Sequence, residues 1–337
     1  MEINFEHRLA AHCESGVTSN LLRYYGYDYS EALVFGLSAS LYFVHLPFLN
    51  IAGYPVTVFR PFPGAIFARV MRLIGISVNK KRFLFKKNGE KQLDRLIEKG
   101  IPTGCLTCNY YLPYLPPNWR IHFNAHNVCV IGKEGNNYLI SETLLNEKVT
   151  ISSEDLLRAR FAKGSFPPLG KMYWVKSLPQ KAPDLNIMVR KAILKNCFRM
   201  VRQPGSMPFI GVNGFQYLGN RIPKYPKIYG EKKAALNLVN LLQMIEQIGT
   251  GGTAFRFLYA DFLKEAAEIT GIEELNDFSK QMTDIGDHWR IFANEAGRIY
   301  KNRSSINSDY QVVGNILKEI GNREKLFFIE LEKVVKQ

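Results

Sequence analysis

The stretch "RLAAHCESGVTSNLLRYYG", residues 8–26, places Cys13 at the start of a predicted helix. A cysteine becomes a good nucleophile when its thiolate is stabilised, and both a helix N-terminus and a neighbouring imidazolium lower the pKa of a thiol. The position of Cys13 meets the first condition. It also suits a small, buried, apolar residue, so partners elsewhere in the chain must decide between a nucleophile and a core residue.

The best candidate for a general base is His126, at the beginning of the predicted strand "HNVCVIG". The return strand, "NNYLISET", ends at Glu142, and a turn at Asn136–Asn137 brings residues near 141–142 opposite residues near 130. An acid there orients an imidazole and fixes its tautomer. The order Cys13, His126, Glu142 is that of papain-like cysteine enzymes. A histidine on a strand is otherwise a packing residue, so the hypothesis depends on the three together.

The elements that must position these residues indicate an α+β N-terminal half. Apolar residues at helical spacing predict a helix over 14–25 that ends at Gly26. Strands and amphipathic helices follow, and the chain becomes mostly helical after about residue 155. We therefore predict a papain-like α+β domain over 1–150 and a helical domain over 155–337. The nearly uncharged segment 32–59 is broken by prolines and a glycine, which favours a buried helix end and strands over a membrane span.

Composition sets the environment and the class of partner. The chain has 337 residues, a formal net charge of +14 and five cysteines. An odd number of irregularly spaced cysteines argues against a disulfide framework, and we see no signal peptide, so we expect a cytoplasmic protein. Bases outnumber acids between Arg60 and Lys99, which favours an acidic partner. No zinc-finger spacing, RNP strand or basic zipper accompanies them, so we expect no nucleic-acid ligand.

His12–Cys13, Gly26, Ser30–Glu31 and Phe35–Gly36–Leu37 follow one another in the first part of the chain. In this order they resemble the butirosin-biosynthesis H family, whose N-terminal domain is papain-like. The resemblance covers most of the chain. It extends to "YYLPY" at 110–114, "HFNAHNVCVIG" at 122–132 and "GTGGTAFRFLYADFLKEAAEI" at 249–269. The last segment is similar to the helical domain that commonly follows in this family.

The resemblance implies a bacterial biosynthetic acyltransferase. In the family, an aminoacyl group moves from an acyl carrier protein thioester to an amine of an aminoglycoside. Cys13 falls on the nucleophile and His126 on the base. The third member is expected to be an aspartate at the end of the return strand. This chain offers Glu142 there, or lacks the acid if Ser141 takes that place, and relatives have an acid where this chain has Asn109. We therefore expect an acidic acyl carrier protein as donor and a small-molecule acceptor, an amine or hydroxyl, without carrying over the aminoglycoside.

Four further residues are candidates to contact substrate under this interpretation. Backbone N–H groups at the start of the Cys13 helix, with His12 or His7, are expected to hold the oxyanion. Asn109 is a candidate to contact the acceptor. Arg256, after the glycine-rich turn "GTGGTAFR", is a candidate partner for the phosphate of the carrier's phosphopantetheine arm, although a plain helix–helix corner explains that turn as well. We expect no resident cofactor beyond that arm.

Alternatives remain open from the sequence. Water as acceptor makes the same triad an amidase or peptidase, and a dead triad makes a binding module. Cys105 and Cys108 form a C-x-x-C pair without a second ligand pair, so we expect no metal site. We expect no integral membrane segment. The sequence is compatible with a homodimer and with a monomer.

Overall fold

The computed structural model describes residues 1–51, 53–181, 183–202, 207–247, 250–301 and 306–337. The chain forms two compact units, Met1–Val34 with Pro63–Pro183 and Phe35–Phe62 with Asp184–Gln337. The predicted domains, 1–150 and 155–337, were each one continuous segment, whereas each unit combines two segments. Residues 35–62 belong to the second unit because their aromatic side chains pack there: the Phe43 ring lies 4.2 Å from that of Phe215.

The helices and strands follow the predicted alternation closely in the first half of the chain. The helices are α1 (Cys13–Tyr24), α2 (Glu31–Leu37), α3 (Ala65–Ile74), α4 (Lys86–Glu98), α5 (Ser153–Arg160), α6 (Leu185–Val201), α7 (Gly211–Arg221), α8 (Tyr225–Tyr229), α9 (Glu231–Glu246), α10 (Arg256–Thr270), α11 (Leu275–Tyr300) and α12 (Ile306–Lys336). The strands are β1 (Val44–Ile51), β2 (Tyr54–Val58), β3 (Ser77–Lys81), β4 (Thr103–Thr107), β5 (His126–Glu134), β6 (Asn137–Ser141), β7 (Val149–Ser152) and β8 (Met172–Ser177).

The first unit is built on a six-stranded antiparallel sheet with the order β3-β8-β4-β5-β6-β7. Helix α1 packs on β5. Val17, Leu21 and Leu22 supply its fully buried face, at the spacing that predicted the helix. Gly26 follows with a φ of 87°, the left-handed conformation that a glycine adopts at little cost. The sheet and this helix are the parts that position the candidate site.

The chain is mostly helical after residue 155, as expected, but it also contains the strand β8, which was not predicted. This strand returns to the first unit and pairs with both β3 and β4. Both partner strands lie far from β8 along the chain, so only the tertiary fold brings the three strands together. Segment 32–59 forms α2, β1 and β2, as predicted. Within the described residues, no helix has the length and apolar character that crossing a membrane requires.

The second unit is helical apart from the β1–β2 hairpin, and a buried ion pair lies inside it. The Arg256 side chain has no exposed surface, and its Nε and Nη2 each donate to Glu324 at 2.9 Å. The Trp289 indole N–H donates to the same carboxylate at 3.0 Å. The prediction that Arg256 binds a phosphate is therefore wrong, because its guanidinium already neutralises a buried carboxylate. Gly249, in the glycine-rich turn predicted to precede it, lies outside the described residues.

Removing one partner of this pair should destabilise the protein strongly. We expect Arg256→Ala to lower the free energy of unfolding by about 3–5 kcal/mol, because it leaves the Glu324 carboxylate buried without a counter-charge. Urea denaturation followed by circular dichroism measures the change. Arg323→Ala, which removes an exposed pair with Glu319 on the same helix, is the matched control and should cost less than about 1 kcal/mol. Equal effects in the two variants would contradict a structural role for Arg256.

Candidate active site

The start of α1 is held by a network of polar contacts around His12. The Glu31 carboxylate accepts the backbone N–H groups of Ala11 and His12 at 2.7 and 2.8 Å and the Ser15 hydroxyl at 2.8 Å. His12 caps the helix, since its Nδ1 lies 2.9 Å from Ser15 Oγ and accepts the Ser15 N–H at 3.4 Å. Cys13 is therefore the first residue of a helix whose entry is fixed in place, with its thiol near the positive end of the helix dipole.

His126 and Glu142 meet at the end of the β5–β6 hairpin. The register pairs Cys129 with Ser141, so Glu142, the residue after β6, lies beside the first residues of β5. His126 Nε2 lies 2.8 Å from Glu142 Oε2, and both side chains are buried. The prediction placed the turn at Asn136–Asn137, whereas β6 already begins at Asn137. Both the predicted and the observed position of the turn place Glu142 beside His126.

The Glu142 carboxylate is fully satisfied inside the protein. Besides His126, its Oε2 accepts the Tyr114 hydroxyl at 3.2 Å, and its Oε1 accepts the Leu144 N–H at 3.2 Å. A buried carboxylate is tolerated when hydrogen bonds and an opposite charge replace its water shell. Burial, with the Glu142 charge and hydrogen bond, raises the pKa of Tyr114 well above its ordinary value, so Tyr114 acts as a neutral donor.

The electrostatics of the site favour a protonated His126. Burial by itself lowers the pKa of the imidazole, but the charges of Glu142 and Cys13, and hydrogen bonds to both side chains, outweigh it and raise the pKa to about 10. Because Nε2 faces Glu142, the other ring nitrogen, Nδ1, is left for the thiol. Cys13 keeps only 5% of its surface exposed. The geometry thus assembles a thiol, an imidazole and a carboxylate in the order that nucleophilic catalysis requires.

His7 does not lie in an oxyanion hole, and that prediction is wrong. Its Nδ1 pairs with Ser141 Oγ at 2.8 Å and its Nε2 with the Leu145 carbonyl at 2.9 Å. Both ring nitrogens are therefore engaged by the segment on either side of Glu142. The nearby Ala10 N–H donates to the Thr143 carbonyl at 2.7 Å. Residues 7–10 thus tie the approach to Cys13 directly to the loop that carries the acid.

The other two substrate candidates of this unit have defined surroundings. The Nδ1 of His12 is used in capping α1, which leaves an oxyanion role for this residue a prediction. Asn109 begins a short 3-10 helix, Asn109–Tyr111, and its backbone N–H donates to the Phe123 carbonyl at 3.2 Å. Its side chain is buried, and its amide oxygen has no hydrogen-bond partner among the described residues. Contact of Asn109 with an acceptor also stays a prediction.

Sequence reasoning assigned no role to four residues that hold the site together: Glu31, Tyr114, Ser141 and Asn127. Glu31, Tyr114 and Asn127 lie in the segments that carry the family resemblance, which says nothing of their contacts. A glutamate at the start of a helix is ordinarily interpreted as a favourable interaction with that helix's own dipole. Here it caps the entry to another helix, and no spacing along the chain reports such a contact.

The remaining cysteines are buried. Cys105, Cys108 and Cys129 have no surface exposure, and Cys197 retains 1%. Burial raises the pKa of the Cys105 and Cys108 thiols, as expected for core residues. In the part of the chain that the structure describes, no group of three or more histidine, cysteine, aspartate or glutamate residues is arranged to hold a metal ion.

Comparisons with known proteins find matching family models and a similar solved structure. Residues 12–143 match the family model described as "Butirosin biosynthesis protein H, N-terminal". Residues 154–331 match the model described as "Domain of unknown function (DUF4872)". A solved structure of a C39-like peptidase from Bacillus anthracis is similar at a TM-score of 0.37 and 14% identity, covering 53% of this chain and 100% of that one. No curated protein matches the chain.

Fold, site and family match together define a papain-like, cysteine-dependent enzyme: an α+β unit with the cysteine at a helix N-terminus, the histidine at the start of one strand and the glutamate directly after the adjacent strand. The chain belongs to the DUF4872 family, whose model matches residues 154–331, and its first part, residues 12–143, is similar to the N-terminal domain of butirosin biosynthesis protein H.

The raised pKa of His126 makes stability depend on pH. Because the folded-state pKa, about 10, lies above the ordinary 6.5, folding binds a proton to this imidazole. Its contribution is fully present below about pH 6.5 and is lost as the pH rises towards 10. In Glu142→Gln the carboxylate charge is gone, so we expect the pKa of His126 to fall and the loss of stability between pH 6.5 and 10 to shrink.

Urea denaturation at several pH values measures this difference. Groups that titrate in the same window without contacting His126 are common to both proteins, so their contributions cancel in the comparison. Glu319→Gln, which changes an exposed carboxylate, should keep the pH dependence of the unaltered protein. The same slope in Glu142→Gln as in the unaltered protein would show that the carboxylate does not hold the proton on His126.

Proposed function

We propose that the protein is a thiol acyltransferase that moves an acyl group from an acyl carrier protein thioester, through an acyl-enzyme on Cys13, to an amine or hydroxyl acceptor in a biosynthetic pathway. The observation that carries the proposal is the buried His126–Glu142 pair in contact with a thiol at a helix N-terminus. The family resemblance supports acyl transfer in particular, and the matching model is named for a biosynthetic protein.

The proposed chemistry has two half-reactions. The Cys13 thiolate attacks the thioester carbonyl, a C–S bond forms, and the oxyanion collapses as the bond to the carrier's thiol breaks. The departing thiolate takes the proton held by the His126 imidazolium. The acceptor then attacks the acyl-enzyme while His126 takes its proton, and Cys13 leaves as thiolate. Glu142 keeps the imidazole oriented and stabilises its charge in both halves.

The position of the Glu142 side chain also helps to distinguish the alternative functions, a binding module and a hydrolase. A binding module on this fold gains support if Glu142 points away from His126, and the 2.8 Å contact is the opposite arrangement. Hydrolysis uses the same triad with water in place of the acceptor, so it is separated from transfer by the products. The phosphopantetheine arm belongs to the donor in this proposal, and Arg256 has no part in binding it.

The basic surface between residues 72 and 99 supports an acidic donor. Along β3, α4 and the segments that flank them, the exposed bases are Arg72, Lys80, Lys81, Arg82, Lys86, Lys87, Lys91, Arg95 and Lys99. Arg60 and Arg69, also counted in the sequence, are buried and half-buried. Leu84 and Phe85 lie among these bases with 89% and 69% of their surface exposed. A charged rim around exposed apolar side chains is typical of a protein-docking surface.

The loop between α5 and β8 links this surface to the site. At one end, the Phe83 N–H, beside the exposed apolar pair, donates to the Leu169 carbonyl at 2.9 Å. At the other end, the Asn124 amide donates to the carbonyls of Lys163 and Ser165 at 3.1 and 2.9 Å. Asn124 lies just before His126 in the chain. A carrier protein docked on the basic surface would therefore rest near the strand that carries the proposed base.

The acyl-enzyme is the first prediction of this proposal. Incubation with acyl carrier proteins that bear a panel of acyl chains should add the mass of one acyl group to the protein, and Cys13→Ala should gain none. Intact-protein mass spectrometry measures the adduct and identifies the donor. An adduct that transfers to added amines supports transfer, and release as free acid without transfer supports the hydrolase. No adduct with any donor would contradict the proposed function.

Docking on the basic surface is the second prediction. We expect Lys81→Glu combined with Lys87→Glu to raise the KM for a carrier-bound donor by about tenfold, because reversing rim charges weakens steering and complementarity. The KM for a small thioester should stay unchanged. The matched control is Lys232→Glu with Lys325→Glu, which reverses two exposed bases of the second unit. Equal losses for both donors, or equal losses in the control, would exclude this surface as the docking site.

A further inference from the structure

Asn127 is a buried polar residue in contact with the candidate nucleophile. It follows His126 on β5 and has 1% of its surface exposed. Its Nδ2 lies 3.9 Å from Cys13 Sγ, within the range of hydrogen bonds to sulfur, and donates to the Ala125 carbonyl at 3.2 Å. Its Oδ1 accepts the Tyr173 hydroxyl at 2.9 Å. The mechanism described above gives this residue no task.

The surroundings determine which end of the Asn127 amide faces the thiol. The Ala125 carbonyl only accepts, so the amide nitrogen must lie on that side. A flipped amide would set two oxygens against each other there. On the opposite side, burial and the nearby negative charges raise the pKa of Tyr173 well above its ordinary value, so its hydroxyl is a neutral donor to Oδ1. Strand β8 therefore holds the Asn127 N–H towards Cys13.

Such a donor has a specific effect on a thiol. A hydrogen bond to the charged form of a group favours that form, and the effect is strong where water is excluded. The charge on sulfur exists before attack and again when the acyl-enzyme is resolved. In the acyl-enzyme the sulfur carries no charge. A donor at this place therefore stabilises the thiolate before attack and again when the acyl group leaves it.

We propose that Asn127 is a catalytic residue that donates a hydrogen bond to the Cys13 thiolate, and that Tyr173 is the positioning residue that orients its amide. This inference rests on Cys13 being the nucleophile of the proposed function and adds a thiolate donor to the triad. It also gives β8, the strand that sequence analysis missed, a direct part in the site.

Other charged and titratable groups face the same region, and their charges must be constant in any test. They are His126, Glu142, Tyr173, Cys105 and Cys129 on or beside the strands, Glu14 on α1, and Lys80 and Lys171, which interact with Glu14. The Glu14 carboxylate accepts the backbone N–H groups of Ile66 and Phe67 at 2.8 and 3.3 Å. The substitutions below remove none of these charges.

The test is the pH dependence of Cys13 alkylation by iodoacetamide, followed by intact-protein mass spectrometry with Cys13→Ser to subtract other thiols. We expect Asn127→Leu, which removes the donor and keeps the size, to move the inflection upward by about one pH unit. Asn127→Asp should move it further, because a carboxylate repels the thiolate. Tyr173→Phe should shift it in the same direction by a smaller amount, because the amide is kept and only its orientation is released.

Asn196→Leu is the matched control, since Asn196 is a fully buried asparagine of the second unit and its alkylation profile should equal that of the unaltered protein. If Asn127→Leu fails to fold, as judged by its near-UV circular dichroism, Tyr173→Phe and Asn127→Asp decide the question. An unchanged inflection in the variants that fold would overturn the inference. Alkylation needs no donor, so failure of acyl transfer and failure of the Asn127 role give different results.

Discussion

The buried ion pair between His126 and Glu142 is the constraint on which the first unit depends. A carboxylate without solvent must find donors and an opposite charge, or it becomes neutral. Glu142 has all of these in Tyr114, Leu144 and His126. Since these partners come from a proline-rich loop, the segment after β6 and the start of β5, the Glu142 carboxylate has all of its hydrogen bonds only when the three segments are in place.

The thiol is positioned by a second set of contacts that meets the first. Glu31 and His12 fix the entry to α1, and His7 joins that entry to the residues around Glu142. The segment before Cys13 is therefore hydrogen-bonded directly to the loop that carries Glu142. Catalytic groups need this kind of support because small misplacements of a base or nucleophile are costly in rate. His7 serves the site through geometry, although it does not touch the reacting atoms.

Three predicted elements and one failed prediction show what local sequence signals can predict: secondary structure, but not the partner of a buried side chain. Helix α1, the β5–β6 hairpin and helix α4 arise from periodicity, turn residues and glycine stops within a short window, and all three are present. The role predicted for Arg256 failed because a glycine-rich turn before an arginine is compatible with phosphate binding and with a helix corner alike. The deciding fact is Glu324, which lies on another helix far along the chain.

The sequence by itself determined the order of the candidate nucleophile, base and acid, the helix that begins at Cys13 and the hairpin that brings Glu142 beside His126, because short-range physics governs each. Only the tertiary structure decided that Glu31 caps a different helix, that His7 ties down the acid loop, and that Tyr173 on β8 turns the Asn127 amide towards the thiol. Those contacts join residues separated by tens of positions or more. Their donors and acceptors have many possible partners in the chain, and burial in one particular fold selects among them.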